Sequence, residues 1–213
     1  MAGVEANNRT TTSGRGTNEA MKLLPGNIYH IYNRGNDKQL IFHIRENYLY
    51  FLNKIRKHMR PYIDIFAYCL MPNHFHFLVY TSGNFNKDIF SKEYKILLSS
   101  YTRALNNQRN KTGSLFQQNS RARCLTYVSD KKNDFDYGLL CFNYIHQNPI
   151  KARLVSKIEN WEFSSFPDYI GLRRGTLCNK SEAFRILNLP KDKEAFYKLS
   201  YVRIKMKELE NVF

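Results

Sequence analysis

Two histidines separated by one aromatic residue, His74 and His76, have the types and spacing of metal ligands. They open the stretch from His74 to Tyr80, whose composition predicts a β-strand. Side chains at i and i+2 of a strand point to the same face, so the two imidazoles project together while Phe75 and Phe77 project to the other side. Two imidazoles are half of a site for a divalent metal ion. Such a pair is more often a packing feature, so its function depends on the partners that the rest of the chain supplies.

A tyrosine and an asparagine further along the chain are candidate partners for the histidines. The sequence from Asp134 to Gln147 predicts a helix, and Tyr144 and Asn148 are four residues apart, which places them on one helical face. Tyr144 could supply a nucleophilic phenol, and Asn148 an amide oxygen as a third metal ligand. Because Asn148 precedes Pro149, we expect the helix to end near Gln147, which leaves the reach of Asn148 open.

Four segments of the chain match the pattern of a known family: Pro72–His76, Tyr144–Val155, Gly113–Gln117 and Trp161–Phe166. In these segments the chain resembles the REP-associated tyrosine transposases, which belong to the single-tyrosine branch of the HUH transposases. The resemblance extends over about residues 27–171. It departs from the family pattern after Gln117, where Gln118, Asn119 and Ser120 stand before Arg121 and family members usually have a basic residue.

The resemblance implies a metal-dependent enzyme that cuts and rejoins single-stranded DNA near hairpins. Tyr144 would be the catalytic nucleophile and would form a 5′-phosphotyrosine bond, while His74, His76 and Asn148 would bind the metal. Amide and phosphate oxygens suit Mg²⁺ or Mn²⁺. Related transposases can act as homodimers that pair the tyrosine of one chain with the histidines of another, or as single chains, and the sequence leaves both arrangements open.

The charge of the chain independently favours a nucleic-acid partner. The 213 residues have a formal net charge of +15, with 15 Tyr and 15 Phe. Lysine and arginine neutralise phosphates, and aromatic rings stack on unpaired bases. A basic belt lies between the histidine strand and the tyrosine helix, and we predict DNA contact there, although such a belt can also be a solvated face. Its members are Arg103, Arg109, Lys111, Arg121, Arg123, Lys131 and Lys132. Arg121 and Arg123 would share one face of a strand.

The order of the predicted elements is β-α-β-β-α-β followed by the tyrosine helix. This order predicts an α+β fold with a ferredoxin-like split βαβ antiparallel sheet, helices on one face, and a further helix that carries the tyrosine. We predict a disordered arm at residues 1–21, a transposase-type domain at 22–171 and a helical extension at 172–213; Met21 is an alternative start. The predicted elements are strands at 27–33, 63–69, 74–80 and 121–128, and helices at 45–59, 92–107, 134–147, 181–187 and 193–209.

The remaining composition excludes some classes of protein and leaves two alternative functions. The four cysteines form no CxxC pattern, which indicates reduced thiols, and no apolar run approaches the ~20 residues of a membrane span. We therefore expect a cytoplasmic protein. One alternative is a binding protein that holds structured DNA or RNA without cutting it. Another is a replication-initiation or relaxase-type nickase, which the segment Asn148–Val155 argues against.

Overall fold

The computed structural model describes residues 22–126 and 137–209, and within them it confirms the predicted α+β class. The predictions for the arm at 1–21, for Lys131 and Lys132, and for the start of the tyrosine helix at Asp134 fall outside the described residues. The strands are β1 (Ile28–Arg34), β2 (Asp64–Met71), β3 (His74–Tyr80) and β4 (Arg121–Cys124). The helices are α1 (Arg45–His58), α2 (Lys87–Arg109), α3 (Tyr137–Lys151), α4 (Phe166–Tyr169), α5 (Lys180–Ile186) and α6 (Lys193–Ser200), with short 3-10 helices at Asn36–Lys38, Ile158–Asn160 and Met206–Leu209.

The four strands form one antiparallel sheet in the order β2-β3-β1-β4. This is the split βαβ topology, in which β3 enters between β1 and β2. The register aligns Tyr32 of β1 with His76 of β3 on one side and with Arg121 of β4 on the other. Because β1 lies between β3 and β4, residues from these three strands meet at one place on the sheet.

Each face of the sheet is covered by a different set of helices. Phe75, Phe77 and Val79 of β3 are buried on the face that packs against α1 and α2. Leu78 lies on the opposite face, where α3 packs against β2 and β3 and also contacts β1. His74 and His76 lie on this second face. Alternate residues of β3 therefore face the main core on one side of the sheet and α3 on the other.

Two helices extend beyond their predicted ends. Helix α2 begins at Lys87 rather than Lys92 because the side chain of Asn86 accepts hydrogen bonds from the backbone N–H groups of Asp88 and Ile89. Helix α3 continues through Pro149 to Lys151, so the expectation that it ends near Gln147 is wrong. The pre-proline bias is outweighed here by packing, because Ile145, Asn148 and Pro149 are all buried.

The covering segment, residues 161–165, follows α3 and lies along the outer edge of the sheet. Leu70 donates its N–H to the carbonyl of Phe163, and Ser165 donates its N–H to the carbonyl of Tyr68, so part of this segment lies along edge strand β2. Trp161 Nε1 also donates to the carbonyl of Leu70, at 3.1 Å. Pairing an edge strand in this way satisfies its backbone and blocks pairing with other chains.

A buried ion pair fixes this covering segment. Asp168 is 2% exposed and accepts hydrogen bonds from Arg173 Nε at 2.7 Å and from Arg173 Nη2 at 2.9 Å. The same guanidinium donates to the carbonyls of Glu162 and Ser164 and to the phenol of Tyr68. The hydrogen bonds to Asp168, with a smaller contribution from the phenol of Tyr68, raise the pKa of Arg173 above its usual value.

The C-terminal helices pack onto α3. Leu189 and Phe196 are buried in the same apolar cluster as Phe142 and Phe166, and Gln147 donates hydrogen bonds from its side-chain amide to the carbonyls of Ser200 and Val202. The predicted final helix at 193–209 ends instead at Ser200, and a 3-10 turn follows it. The division into two domains at residues 171 and 172 stays a prediction. Among the described residues, no helix is both long and apolar enough to cross a membrane.

Removing Arg173 should destabilise the fold. In Arg173→Met the carboxylate of Asp168 loses its cation while it stays buried, and we expect a loss of about 3 kcal/mol, the lower end for a broken buried pair because the guanidinium is partly exposed. Urea unfolding measures this loss. The neighbouring exposed residue gives the matched control, since Arg174→Met should change stability by no more than about 0.5 kcal/mol. Equal stabilities of the two variants would contradict a role for the buried pair.

Candidate active site

The second face of the sheet carries a pocket of about 500 Å³ between β1, β3 and α3. His74 and His76 line it, as the alternation of β3 predicts, and Tyr32 of β1 lines it beside them. Tyr144 of α3 lines the same pocket. The structure thus brings the predicted nucleophile and the two predicted imidazole ligands to one place, although they are about 70 residues apart in the chain.

The ring of Tyr144 stands edge-on to the imidazole of His76. The ring centroids are 5.6 Å apart with planes at 86°, and the Tyr144 side chain is half-buried rather than enclosed. Burial raises the pKa of the Tyr144 phenol above its usual value near 10, while the side-chain hydrogen bond with Asn148 acts in the opposite direction. The phenol is therefore protonated at neutral pH in the free protein, and attack by it would need local charge to stabilise the phenolate.

Asn148 stays inside α3 and lies on the same helical face as Tyr144. Its side-chain nitrogen donates to the backbone carbonyl of Tyr144 at 2.8 Å, and the residue is 7% exposed. The continuation of the helix through Pro149 is the reason that the two residues remain one turn apart. The role of Asn148 as a third metal ligand stays a prediction.

Both histidines of β3 are in the neutral form that binds metals. Burial, and to a smaller extent Arg34, lowers the pKa of His74 to about 4. Burial also lowers the pKa of His76 well below its usual value, and the neighbouring His30 and His74 add to this. His74 Nδ1 lies 2.7 Å from the side-chain oxygen of Asn73. Because that oxygen can only accept, the proton of His74 sits on Nδ1 and the lone pair of Nε2 is available for a metal.

His74 and His76 line the pocket, whereas Asn148 does not, so only two of the three predicted metal ligands lie in its wall. The types of the three predicted ligands fit a divalent ion with an open coordination sphere. Among residues 22–126 and 137–209, no cluster of three or more His, Cys, Asp or Glu side chains could bind a metal. Two imidazoles and one amide oxygen would leave positions for water and phosphate, as at catalytic rather than structural metal sites. A hard ion such as Mg²⁺ or Mn²⁺ suits the oxygen donors, and its presence stays a prediction.

The basic residues divide into two groups around the pocket. Arg121 lines it and, with Arg123, lies on the exposed face of β4 beside Tyr32. Arg103 and Lys111 line a second hollow of about 680 Å³ between α2 and the loop after it. Gln117 lines both hollows, so they adjoin. Arg109 lies exposed in the last turn of α2 and lines neither.

The loop between α2 and β4, residues 110–120, is anchored to the end of β1 by backbone hydrogen bonds. Gln117 donates its N–H to the carbonyl of Arg34, and Asn36 donates its N–H to the carbonyl of Leu115. Leu115 and Phe116 are buried in the core on the α1 and α2 side. These contacts place the side chain of Gln117 between the two hollows. Of the segment Gly113–Gln117, Gln117 is therefore the residue that lines the pocket, while Gly113, Ser114 and Phe116 line the second hollow.

Three residues near the pocket were not identified from the sequence. His30 and Tyr32 alternate on β1 as the two histidines do on β3, and this repeated spacing was the available signal. Lys151 lies seven residues after Tyr144, two helical turns along the same face, and its ammonium is 4.9 Å from the centroid of the Tyr144 ring. His146, two residues after Tyr144, is fully buried and forms a hydrogen bond with Ser165 Oγ at 2.7 Å.

Comparisons with known proteins give a structural match but no sequence match. No protein-family model and no curated protein matches the chain. Among solved structures, the fold is similar to that of a REP-associated tyrosine transposase bound to a REP hairpin, with a TM-score of 0.51 and 16% sequence identity. The match covers 70% of this chain and 81% of the transposase. At this identity the likeness shows a shared fold, which agrees with the topology described above.

Proposed function

We propose that this protein is a metal-dependent DNA strand-transferase and endonuclease of the tyrosine transposase type. The observation that carries the proposal is the meeting of Tyr144 and His76 in one pocket, with ring centroids 5.6 Å apart and the phenol half-buried. The similarity of the fold to that of a tyrosine transposase supports the proposal. The residues gathered in the pocket, a phenol beside two imidazoles, are of the types that such chemistry needs.

In the proposed reaction Tyr144 attacks the phosphorus of a single-stranded phosphodiester. A bond forms between the phenol oxygen and phosphorus, the bond from phosphorus to the 3′ oxygen breaks, and the phenol proton passes to the medium. The products are a 5′-phosphotyrosine and a free 3′-hydroxyl, and a later attack by a 3′-hydroxyl reverses the step and joins strands. The energy of the broken phosphodiester bond is conserved in the phosphotyrosine bond, so the reaction needs no nucleoside triphosphate.

The neighbouring side chains supply the charge and orientation that this step requires. His74, His76 and Asn148 would hold a divalent ion, which when bound would polarise the scissile phosphate. Lys151 places a positive charge over the ring of Tyr144, where it favours the phenolate. A single chain contains the phenol and both imidazoles in one pocket, so the proposed chemistry needs no second subunit.

The DNA partner is proposed to be single-stranded and hairpin-forming. The exposed arginines of β4 flank the pocket beside Tyr32, whose phenol forms a hydrogen bond with Arg121. From the pocket the second hollow continues along Arg103 and Lys111. A strand bound with its scissile phosphate at Tyr144 would cross Gln117 and enter this hollow, where basic and amide side chains suit phosphates and base edges.

Replacing the nucleophile tests the proposal directly. A labelled hairpin with a single-stranded flank, incubated with the protein and Mn²⁺, should give a denaturation-resistant adduct. Tyr144→Phe should abolish the adduct and leave DNA binding nearly unchanged, because only the attacking oxygen is removed. The matched control is Tyr32→Phe, which removes the other phenol of the pocket and should still form the adduct.

Two results of this experiment would contradict the assignment. An adduct that persists in Tyr144→Phe and disappears in Tyr32→Phe would make Tyr32 the nucleophile. Tight hairpin binding by the wild type without any adduct would favour the alternative function of a non-catalytic DNA- or RNA-binding protein.

Metal binding should stabilise the fold only while the histidine pair is intact. Mn²⁺ at 100 times its dissociation constant would add about 2.7 kcal/mol to the stability of the wild type, and a thermal melt would show a higher Tm. His74→Ala and His76→Ala should lose both this shift and the metal-dependent cleavage. His43→Ala, outside the pocket, should keep both. Cleavage that continues in excess EDTA would remove the metal from the proposal.

The arginines of β4 should contribute to the salt dependence of DNA binding. Each of Arg121→Gln and Arg123→Gln should reduce the slope of log K against log salt by about one, since each removes one phosphate contact. Arg60→Gln, an exposed arginine in the connection at the other end of the sheet, is the control that should leave the slope unchanged. Fluorescence anisotropy at several salt concentrations measures the slopes, and an unchanged slope for both β4 variants would place the DNA elsewhere.

A further inference from the structure

A third histidine, His30, lies next to His76 but does not line the pocket. His30 of β1 is 0% exposed, and its Nε2 is 2.9 Å from His76 Nδ1. The two ring planes are within 22° of each other and the centroids are 5.1 Å apart, so the rings meet edge to edge through their nitrogens. The ring of Tyr32 also packs against His30, with centroids 4.7 Å apart, and lies 5.9 Å from the ring of His76. The ring of His30 is therefore fixed by packing as well as by its hydrogen bond.

The hydrogen bond between the two imidazoles couples the proton positions of both rings. A neutral imidazole has one nitrogen that donates and one that accepts. If His76 donates from Nδ1 to His30, the lone pair of His76 is on Nε2. If His30 donates instead, the proton of His76 is on Nε2 and the ring cannot bind a metal through that atom. Only the first arrangement makes His76 a ligand, because its Nδ1 is occupied by His30.

We propose that His30 is a positioning residue for the metal site, whose Nε2 accepts the proton of His76 Nδ1 and so directs the lone pair of His76 Nε2 toward a divalent cation. This inference rests on the proposed function, because it names the residue that prepares one of its metal ligands. His30 occupies the place that a carboxylate or carbonyl usually takes behind a metal-binding histidine. Asn73 does the same for His74 from the adjacent position in the chain.

In this proposal His30 orients the metal ligand His76 and does not itself bind the metal. It is fully enclosed and is absent from the wall of the pocket that His74, His76 and Tyr144 line. The antiparallel register explains how it reaches His76. His30 is paired with Leu78 and Tyr32 with His76, so His30 lies diagonally across from His76 on the same face of the sheet.

The Mn²⁺ affinity of the DNA-free protein tests the proposal without reference to catalysis. His30→Phe keeps an aromatic ring against both Tyr32 and His76 but removes the hydrogen bond, and we expect the Mn²⁺ affinity to fall by about 10- to 100-fold. His30→Gln offers an amide oxygen near the place of Nε2 and should recover most of the loss. His58→Phe replaces another buried histidine, outside the pocket, and should bind Mn²⁺ as the wild type does. Isothermal titration calorimetry or electron paramagnetic resonance of free Mn²⁺ gives these affinities.

The outcomes separate this inference from the proposed function. If the wild type binds Mn²⁺ and His76→Ala does not, but His30→Phe binds as tightly as the wild type, the role of His30 is wrong while the metal site stands. Equally weak binding by His30→Gln and His30→Phe would also overturn it, because the hydrogen bond would not be the cause. A wild type that binds no Mn²⁺ would end the metal proposal and this one together.

A measurement on the unmutated protein covers the case in which the His30 variants fail to fold. Long-range ¹⁵N–¹H correlation spectra of the imidazoles distinguish the two tautomers of a neutral histidine. The expected result at neutral pH is a proton on Nδ1 of His76 and none on its Nε2. The opposite tautomer in the metal-free protein would overturn the proposal.

Discussion

The alternation of side chains along β3, with both of its faces covered, is the constraint on which the rest of the structure depends. Phe75 and Phe77 are fully buried against α1 and α2, and burial of one such side chain contributes about 1.5–3 kcal/mol. A shift of one residue in the register would move these phenylalanines to the α3 face and the histidines into the apolar core. The register that buries the core is thus the register that presents His74 and His76 to Tyr144.

Helix α3 completes the site because it is anchored from several directions. Its apolar residues pack on β2 and β3, its Gln147 side chain is bound by the C-terminal segment, and the covering segment held by Arg173 and Asp168 lies beside it. These contacts allow the helix to continue through Pro149 in spite of the missing backbone hydrogen bond. Asn148 and Lys151 stay on the face of Tyr144 as a result, and the elements outside the pocket determine its geometry.

Much of the fold could be predicted from the sequence because its patterns are local. The strand period of His74–Tyr80 and the order of elements led to the split βαβ sheet, which the structure confirms. The bounds of β3 were predicted to the residue, whereas α2 and α3 were misjudged at ends where a cap and tertiary packing decided the length. A cap at Asn86 was visible in the sequence, but the packing that retains Pro149 within a helix involves residues far away in the chain.

The sequence by itself determined which residue types could do chemistry and which of them share a face, since strand and helix periods follow from backbone geometry. It therefore provided the paired imidazoles, the phenol and its asparagine, and the two arginines of β4. Only the tertiary structure decided that α3 covers the face of the sheet that carries the histidines, and that His30 stands behind His76. Contacts between β1, β3 and α3 depend on strand order and register, which long-range packing sets and no local pattern encodes.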